Sequence, residues 1–175
     1  MSSTVRDALV GLAALLAPGV PQVADRVASA HDDPSGYVEA HADRLDERGI
    51  DEPIPDLAWI ALVDALTDHG LLAEVDWKEA GDEIVAQLRE LRSSPADAGA
   101  WSWSADVADL PAYDFLERAG AQLRATGTTL AVLDIESDCY PLVLLPNGHA
   151  DDLRALAAAT PFTASVLGAP ATSPS

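Results

Sequence analysis

Hydrophobic and polar positions change period several times along this chain, and each change marks an element. Val5, Leu9, Leu12, Ala13 and Leu16 recur at helical spacing, with Thr4 and Asp7 in capping positions and Pro18-Gly19 as a stop. Pro21 suits a first helical position, and Val23, Val27 and Ala30 carry a second helix to His31, where Asp32-Asp33-Pro34 breaks it. A third helix is predicted over Ser35–Arg48, with Val38, His41, Ala42 and Leu45 inward and Gly49 beyond its end. Asp51–Pro55, with two prolines, is a stiff connector. The next helix, Asp56–Asp68, has a stripe of Leu57, Ile60, Val63 and Leu66 widened by Trp59 and Leu62, so it is expected to be among the most buried.

At Leu71 the period drops to two. Leu71, Ala73, Val75 and Trp77 fall on one side and Glu74 and Asp76 on the other, which is a half-buried strand. Helices return over Lys78–Arg92 and Pro111–Ala125; the first has acids early and Arg89 and Arg92 late, matching the helix dipole. Between them, Ser93–Ala100 reads as a surface loop and Trp101–Ser104 alternates like a short strand. The stretch Thr128–Pro146 organises the rest: two apolar runs, Leu130–Ile135 and Tyr140–Leu145, flank Glu136-Ser137-Asp138 as a β-hairpin. Leu130–Leu133 is apolar on both faces and Leu142–Leu145 has no polar face, so helices must cover the ribbon on both sides.

Pro141 cannot donate to a ladder, which assigns it to an edge, a bulge or a non-donating position. An exposed edge there could pair with another chain; a buried strand with a local bulge could not. Asn147-Gly148 turns the chain into a last helix, Ala150–Ala159, and the tail from Gly168 reads as disordered. The order of elements predicts an α+β fold, with a small, mostly antiparallel sheet around the central hairpin at about 129–146, packed by helices. A single domain over residues 1–167 is expected, with residues 1–50 as a helical extension and 56–160 as the core.

Charge narrows the partners. Ten basic against 29 acidic residues give a net charge of −19, which excludes nucleic acid and anionic membrane surfaces as partners, since both need Lys and Arg. The acids are spread along the chain and are densest between Asp32 and Asp56, where only Arg44 and Arg48 oppose them. One reading is a solvated surface that favours solubility; the sharper one is an acidic face for a basic protein partner. Cys139 is the single cysteine, so an internal disulfide and a thiolate metal site are both excluded. Arg6 followed by Ala8–Ala17 has the outline of a secretory signal with Ala24 as a cleavage edge, but Asp7 and the lone positive charge speak against it. No run reaches the roughly 18 apolar residues of a membrane span. A cytoplasmic protein is expected.

Two short motifs carry a resemblance. Asp76-Trp77-Lys78-Glu79 lies between a strand and a helix, and Leu133-Asp134-Ile135-Glu136-Ser137-Asp138-Cys139-Tyr140-Pro141 forms the hairpin bend. Together they are similar to an uncharacterised bacterial family of domains of unknown function, number 6630. The resemblance covers Leu57 to Ala159, with the earlier helices as a variable extension. It implies a shared fold and brings no activity, cofactor or catalytic residue with it.

Candidate chemistry centres on the same bend. Asp134 and Glu136 share a strand face and Asp138 could swing toward them, a set suited to Mg²⁺ or Ca²⁺ or to an acid–base pair. The plainer reading makes Ser137 and Asp138 turn formers bonded to nearby backbone N–H groups, and neither a glycine-containing calcium loop nor an HExxH partner supports a metal. Trp77, Trp101 and Trp103 with Tyr140 could line an aromatic pocket. Trp59 and Trp77 fit a core better, whereas Trp101 and Trp103, beside a Ser/Pro/Gly loop, fit a binding surface. The histidines are scattered. Acidic neighbours raise the Cys139 thiol pKa and so disfavour a nucleophile, and no GxSxG, Walker or GxGxxG pattern occurs.

The expectation is a non-catalytic binding or regulatory protein without a cofactor, directed at a basic protein; an immunity-type inhibitor of a basic toxin is one version. The alternatives are a metal-dependent enzyme using Asp134, Glu136 and Asp138, and a structural subunit pairing through a strand edge.

Overall fold

A hairpin that is apolar on both sides has to lie in the middle of a sandwich, and it does. The computed structural model describes residues 2–168, apart from the side chains of residues 2–4 and 98. The disorder expected from Gly168 onwards falls, except for Gly168 itself, on residues 169–175, outside the described ones; Gly168 donates its N–H to Glu117.

The chain opens with α1 (Ser2–Leu16), α2 (Pro21–Asp32), and two short helices, α3 (Pro34–Ala40) and α4 (Ala42–Asp46). Then come α5 (Leu57–Asp68), β1 (Ala73–Asp76), α6 (Gly81–Arg89), a 3-10 turn (Ala98–Trp101), α7 (Ser104–Val107) and α8 (Ala112–Ala125). The hairpin strands β2 (Thr128–Asp134) and β3 (Cys139–Pro146) follow, then α9 (Ala150–Ala158) and β4 (Thr163–Val166). The four strands form one antiparallel sheet in the order β1-β3-β2-β4. The fold is α+β.

Alternation along the hairpin divides its side chains between two cores. Ala131, Leu133, Val143 and Leu145 join the apolar residues of α1, α2 and α5 on one face. Leu130, Leu142 and Leu144 join Ala73, Val75 and the buried stripes of α6 and α8 on the other. Helix α5 carries apolar residues all round and buries ten of its twelve residues, as its sequence requires. The stretch with a secretory outline forms α1, and Leu9, Leu12 and Leu16 are packed in the first core.

Several expectations are corrected. Thr4 lies inside α1, which starts at Ser2, so it is not the residue before the helix. The helix expected over Ser35–Arg48 is broken at His41 (φ −120°), and Asp33 caps its first half by accepting the Gly36 N–H at 3.1 Å. The break lets Tyr37, not assigned inward by spacing, reach the core together with Leu45. Trp101–Ser104 is not a strand, because Asp97 accepts the Gly99 N–H (2.9 Å) and starts helical turns there. Strand β4 went unpredicted.

Pro141 lies at neither an edge nor a bulge. Strand β3 is interior and its register on β1 and β2 runs without an inserted residue. The Trp77 N–H donates to the Asp138 carbonyl (3.0 Å) and the Asn147 N–H to the Gly127 carbonyl (3.1 Å), so even positions of β3 bond β1 and odd positions bond β2. Position 141 therefore aims its nitrogen at Leu133 of β2, and a proline has no hydrogen to give. The β2–β3 register ends one residue earlier, at Val132–Leu142. Beyond that point β3 stays with β1 as far as Asp76–Cys139, and β2 stays with β4 as far as Asp134–Thr163. The sheet forks.

Candidate functional site

A cleft of about 240 Å³ lies where the sheet divides. Its floor is apolar, made by Leu116 of α8, Val132 of β2 and Leu167 just after β4. Two tyrosines wall it, Tyr113 from α8 and Tyr140 from β3, with ring centroids 6.2 Å apart and planes tilted by 50°. Asp134, at the tip of the β2 prong, is the one ionisable carboxylate in the lining, and Ser137, Ser165 and Cys139 complete it. No lysine or arginine among the described residues lines it.

Asp134 is held from two directions. On the opposite side of the sheet, the Trp59 indole N–H of α5 donates to its backbone carbonyl (2.9 Å), and Trp59 itself stacks on Phe162 (5.1 Å between centroids) ahead of β4. Its own Oδ1 accepts the Glu136 N–H (2.8 Å), which closes the bend. Glu136 sits at φ +56°, a left-handed conformation uncommon for a residue with a side chain. The Ser137 hydroxyl oxygen accepts the Cys139 N–H (3.1 Å) and fixes the other side of the bend. The turn reading of this loop therefore holds for Ser137, while Asp134, not Asp138, is the carboxylate that closes it.

Tyr113 and the β4 wall are the parts sequence reasoning missed. Tyr113 lies outside the apolar stripe of α8, which is the one sequence signal for an exposed aromatic there. The neighbouring Glu117 carboxylate raises the Tyr113 hydroxyl pKa, so the ring stays neutral. Glu117 also accepts the Gly168 N–H (2.9 Å), tying the chain after β4 to α8. That crossing is close: a Cβ at Gly120 would collide with the Leu167 carbonyl, so only glycine admits it.

The remaining expected site residues scatter. Glu136 and Asp138 are exposed on the rim and do not line the cleft. Trp77, assigned to the core by its alternation with Val75, is 50% exposed, because β1 ends at Asp76 before a helix can cover it. The Lys78 ammonium sits 5.1 Å from its ring centroid, and the Asp76 carboxylate accepts the Lys78 N–H (2.8 Å). Trp101, assigned to a binding surface, is only 4% exposed and belongs to the second core. Trp103 packs beside it, 5.7 Å from Phe115, with its indole N–H bonded to the Ala100 carbonyl (2.6 Å). The two motifs of the family resemblance do meet, since Asp76 pairs with Cys139 in the ladder and Trp77 bonds Asp138.

Among the described residues, no group of three or more His, Cys, Asp or Glu side chains is arranged to hold a metal ion. Asp134, Glu136 and Asp138, the set on which the alternative metal reading rested, do not form such a group. Burial first, then the charges of Glu74, Asp76 and Asp138, raise the Cys139 pKa, so the thiol is protonated at neutral pH and a poor nucleophile. No helix among the described residues is long and apolar enough to cross a membrane.

A second charged cluster lies away from the cleft. Asp64, in the middle of α5, is 0% exposed, and its Oδ1 accepts from Arg48 Nε (2.9 Å) and Nη2 (2.6 Å). Arg48 also bonds Glu74 of β1, Arg44 reaches Asp68 (3.3 Å), and Arg26 bonds Asp68 (2.7 Å) and the Tyr37 hydroxyl (3.1 Å). Burial works against the Arg48 guanidinium, but Glu74 and Asp64 more than offset it and hold its pKa above the ordinary value. Three arginines thus face three carboxylates between the first helices and the core.

No characterised protein and no solved structure matches this chain significantly. A family model does, over residues 8–167, so the match takes in helices α1 to α4, which the motif resemblance had set aside as a variable extension. Their packing agrees, since Leu9, Val23, Tyr37 and Leu45 share one core with α5 and the hairpin. The chain belongs to the family described as Domain of unknown function (DUF6630).

Proposed function

We propose that this chain is a non-catalytic binding or regulatory protein of the bacterial cytoplasm that docks a basic protein at the forked end of its sheet. One observation carries the reading. Trp77 and Tyr113 are the exposed large hydrophobic residues among those described, at 50% and 52%, and both stand at the end of the sheet that bears Asp134, Glu136 and Asp138. Aromatic anchors within a charged rim are the usual composition of a protein-binding hot spot. Those three carboxylates take part in no ion pair among the described residues, so their charge is available to a cationic partner. A net charge of −19 adds long-range steering toward a basic face. The absence of any activated nucleophile beside a base in the cleft, with the Cys139 thiol held protonated, favours binding over catalysis. A lone free thiol also suits a reducing compartment.

The test is a titration of the full chain with a Lys/Arg-rich nonapeptide and with its Glu-substituted counterpart. Binding of the basic peptide alone is expected, weakening steeply between low and physiological salt. Trp77→Ala and the pair Glu136→Gln/Asp138→Asn should each weaken it about tenfold. Equal affinity for both peptides, or no effect of those variants, would overturn the reading.

A further inference from the structure

We infer that the cleft in the fork is a socket for a single arginine side chain of the basic partner, with the guanidinium laid against the tilted pair Tyr113 and Tyr140 and paired to Asp134. The inference rests on the proposed docking of a basic protein and assigns the contact that would give it specificity.

Size decides between a metabolite and a side chain. At about 240 Å³ the cleft falls below the ~300–1,000 Å³ typical of small-molecule sites. A cleft of that size suits one long side chain. Chemistry decides which side chain. The floor of Leu116, Val132 and Leu167 is apolar and accepts a methylene stem, and the two tyrosine rings offer faces to a cation. One carboxylate, exposed at the mouth, stands in the lining with no basic residue among the described ones beside it, which disfavours an anion and gives a cation a partner that an aliphatic side chain would leave unused.

Arginine fits better than lysine. Its guanidinium is flat and stacks on aromatic faces while directing a donor at a carboxylate oxygen, whereas an ammonium is a compact, strongly hydrated charge. One carboxylate oxygen of Asp134 is committed to the Glu136 N–H, which fixes the group in orientation while leaving the other oxygen to receive a donor. The backbone behind it is pinned by Trp59, so the acceptor is in position before the ligand arrives.

The experiment uses the full chain, ¹⁵N-labelled, and three probes: Nα-acetyl-arginine N-methylamide, its citrulline isostere, and a nonapeptide with one central arginine among lysines. The arginine probe should shift amide resonances of residues 132–140, 113–117 and 165–167, and the uncharged citrulline probe should bind at least tenfold more weakly. Asp134→Asn keeps an oxygen for the Glu136 N–H while removing the charge, so the fold survives; it should weaken the arginine probe at least tenfold, as should Tyr140→Leu. Asp46→Asn, the same change of charge on a distant exposed residue, should leave affinity unchanged. Equal binding of arginine and citrulline probes, shifts elsewhere, or none at all, would overturn the socket. If the nonapeptide binds in a salt-dependent way but Asp134→Asn leaves its affinity intact, the socket falls and the docking of a basic partner stands. If the single arginine occupies the cleft but the nonapeptide binds no tighter, the socket stands and the basic-protein partner falls.

Discussion

Two groups of carboxylates in this molecule differ in one respect, the company they keep. Asp64, buried, together with the more exposed Asp68 and Glu74, lies beside the first helices and meets Arg26, Arg44 and Arg48 at close range. Asp134, Glu136 and Asp138 lie at the forked end of the sheet and meet no arginine among the described residues. The chain has only ten basic residues, and three of them serve the first group. Formal charge along the sequence is therefore a poor guide to where charge is exposed. The densest acidic stretch, Asp32–Asp56, includes two of the three arginines that pair with the first group, while a sparser stretch keeps its charge unopposed. The first arrangement holds the helices onto the core; the second leaves a surface able to receive a cation.

The largest expected effect breaks the first group. Arg48→Ala strips Asp64, fully buried, of both its close donors and leaves Glu74 without its partner. Arg44 Nη2 remains 3.6 Å from the same oxygen, so the loss in a urea unfolding curve at pH 7 should sit at the low end for a broken buried pair, about 3 kcal/mol. Adding Asp64→Leu to Arg48→Met should recover most of it, because an apolar pair of similar volume avoids the desolvation cost altogether. If Arg48→Ala costs less than about 1 kcal/mol, as exposed pairs do, the cluster is a surface network and the contrast between the two groups disappears.

How far this contrast could be read in advance depends on which forces act locally. The hairpin and α5 were legible, because an apolar run without a polar face leaves few alternatives. The fork was half legible: Pro141 announced a missing donor, but only the register reveals that the missing bond is the one to Leu133. Strand β4 had a signal too, since Phe162, Ala164 and Val166 alternate with Thr163 and Ser165, yet a four-residue strand gains its stability from Asp134–Thr163 pairing and not from its own pattern. Asp64 was visible as a lone acid in an apolar helix; its partners, Arg48 and Arg44, come from the segment before α5 and could not be paired with it by spacing. The tryptophans inverted because exposure depends on what covers an element. Helical turns at 98–107 press Trp101 and Trp103 against α8, and nothing covers Trp77 past the end of β1.

A smaller effect tests the cause of the open end. In Pro141→Val an N–H becomes available, pointed at Leu133, and the β2–β3 ladder can run on by one pair. The gain in stability should be about 1 kcal/mol, the usual net worth of one hydrogen bond. The cleft should narrow at the same time, so affinity for an arginine probe falls while Asp134 and Tyr140 remain in the chain. Amide exchange would report the new bond directly as protection at position 141. A variant that is neither stabilised nor altered in probe affinity would mean the fork is held open by the bend from Glu136 to Asp138 and not by the proline.

The smallest effect asks whether the buried cluster is balanced. His41 stacks on Tyr37, 4.2 Å between ring centroids, beside Arg26. Burial lowers its pKa, Arg26 lowers it further, and the opposing pull of Asp64 and Asp68 does not restore it. The folded state therefore takes up this proton at lower pH than the unfolded chain, whose histidine titrates near 6.5. At neutral pH and above, both states hold the ring neutral and stability is unaffected. As pH falls through the unfolded value, the unfolded chain binds the proton first and stability is lost, until the folded pKa is passed. Unfolding curves at pH 7.5 and 5.5 should show wild type losing more stability than His41→Gln across that interval. Equal losses would mean that Asp64 and Asp68 outweigh burial and Arg26 as felt at His41, and the two groups of acids would then differ less in their net charge than their ion pairs suggest.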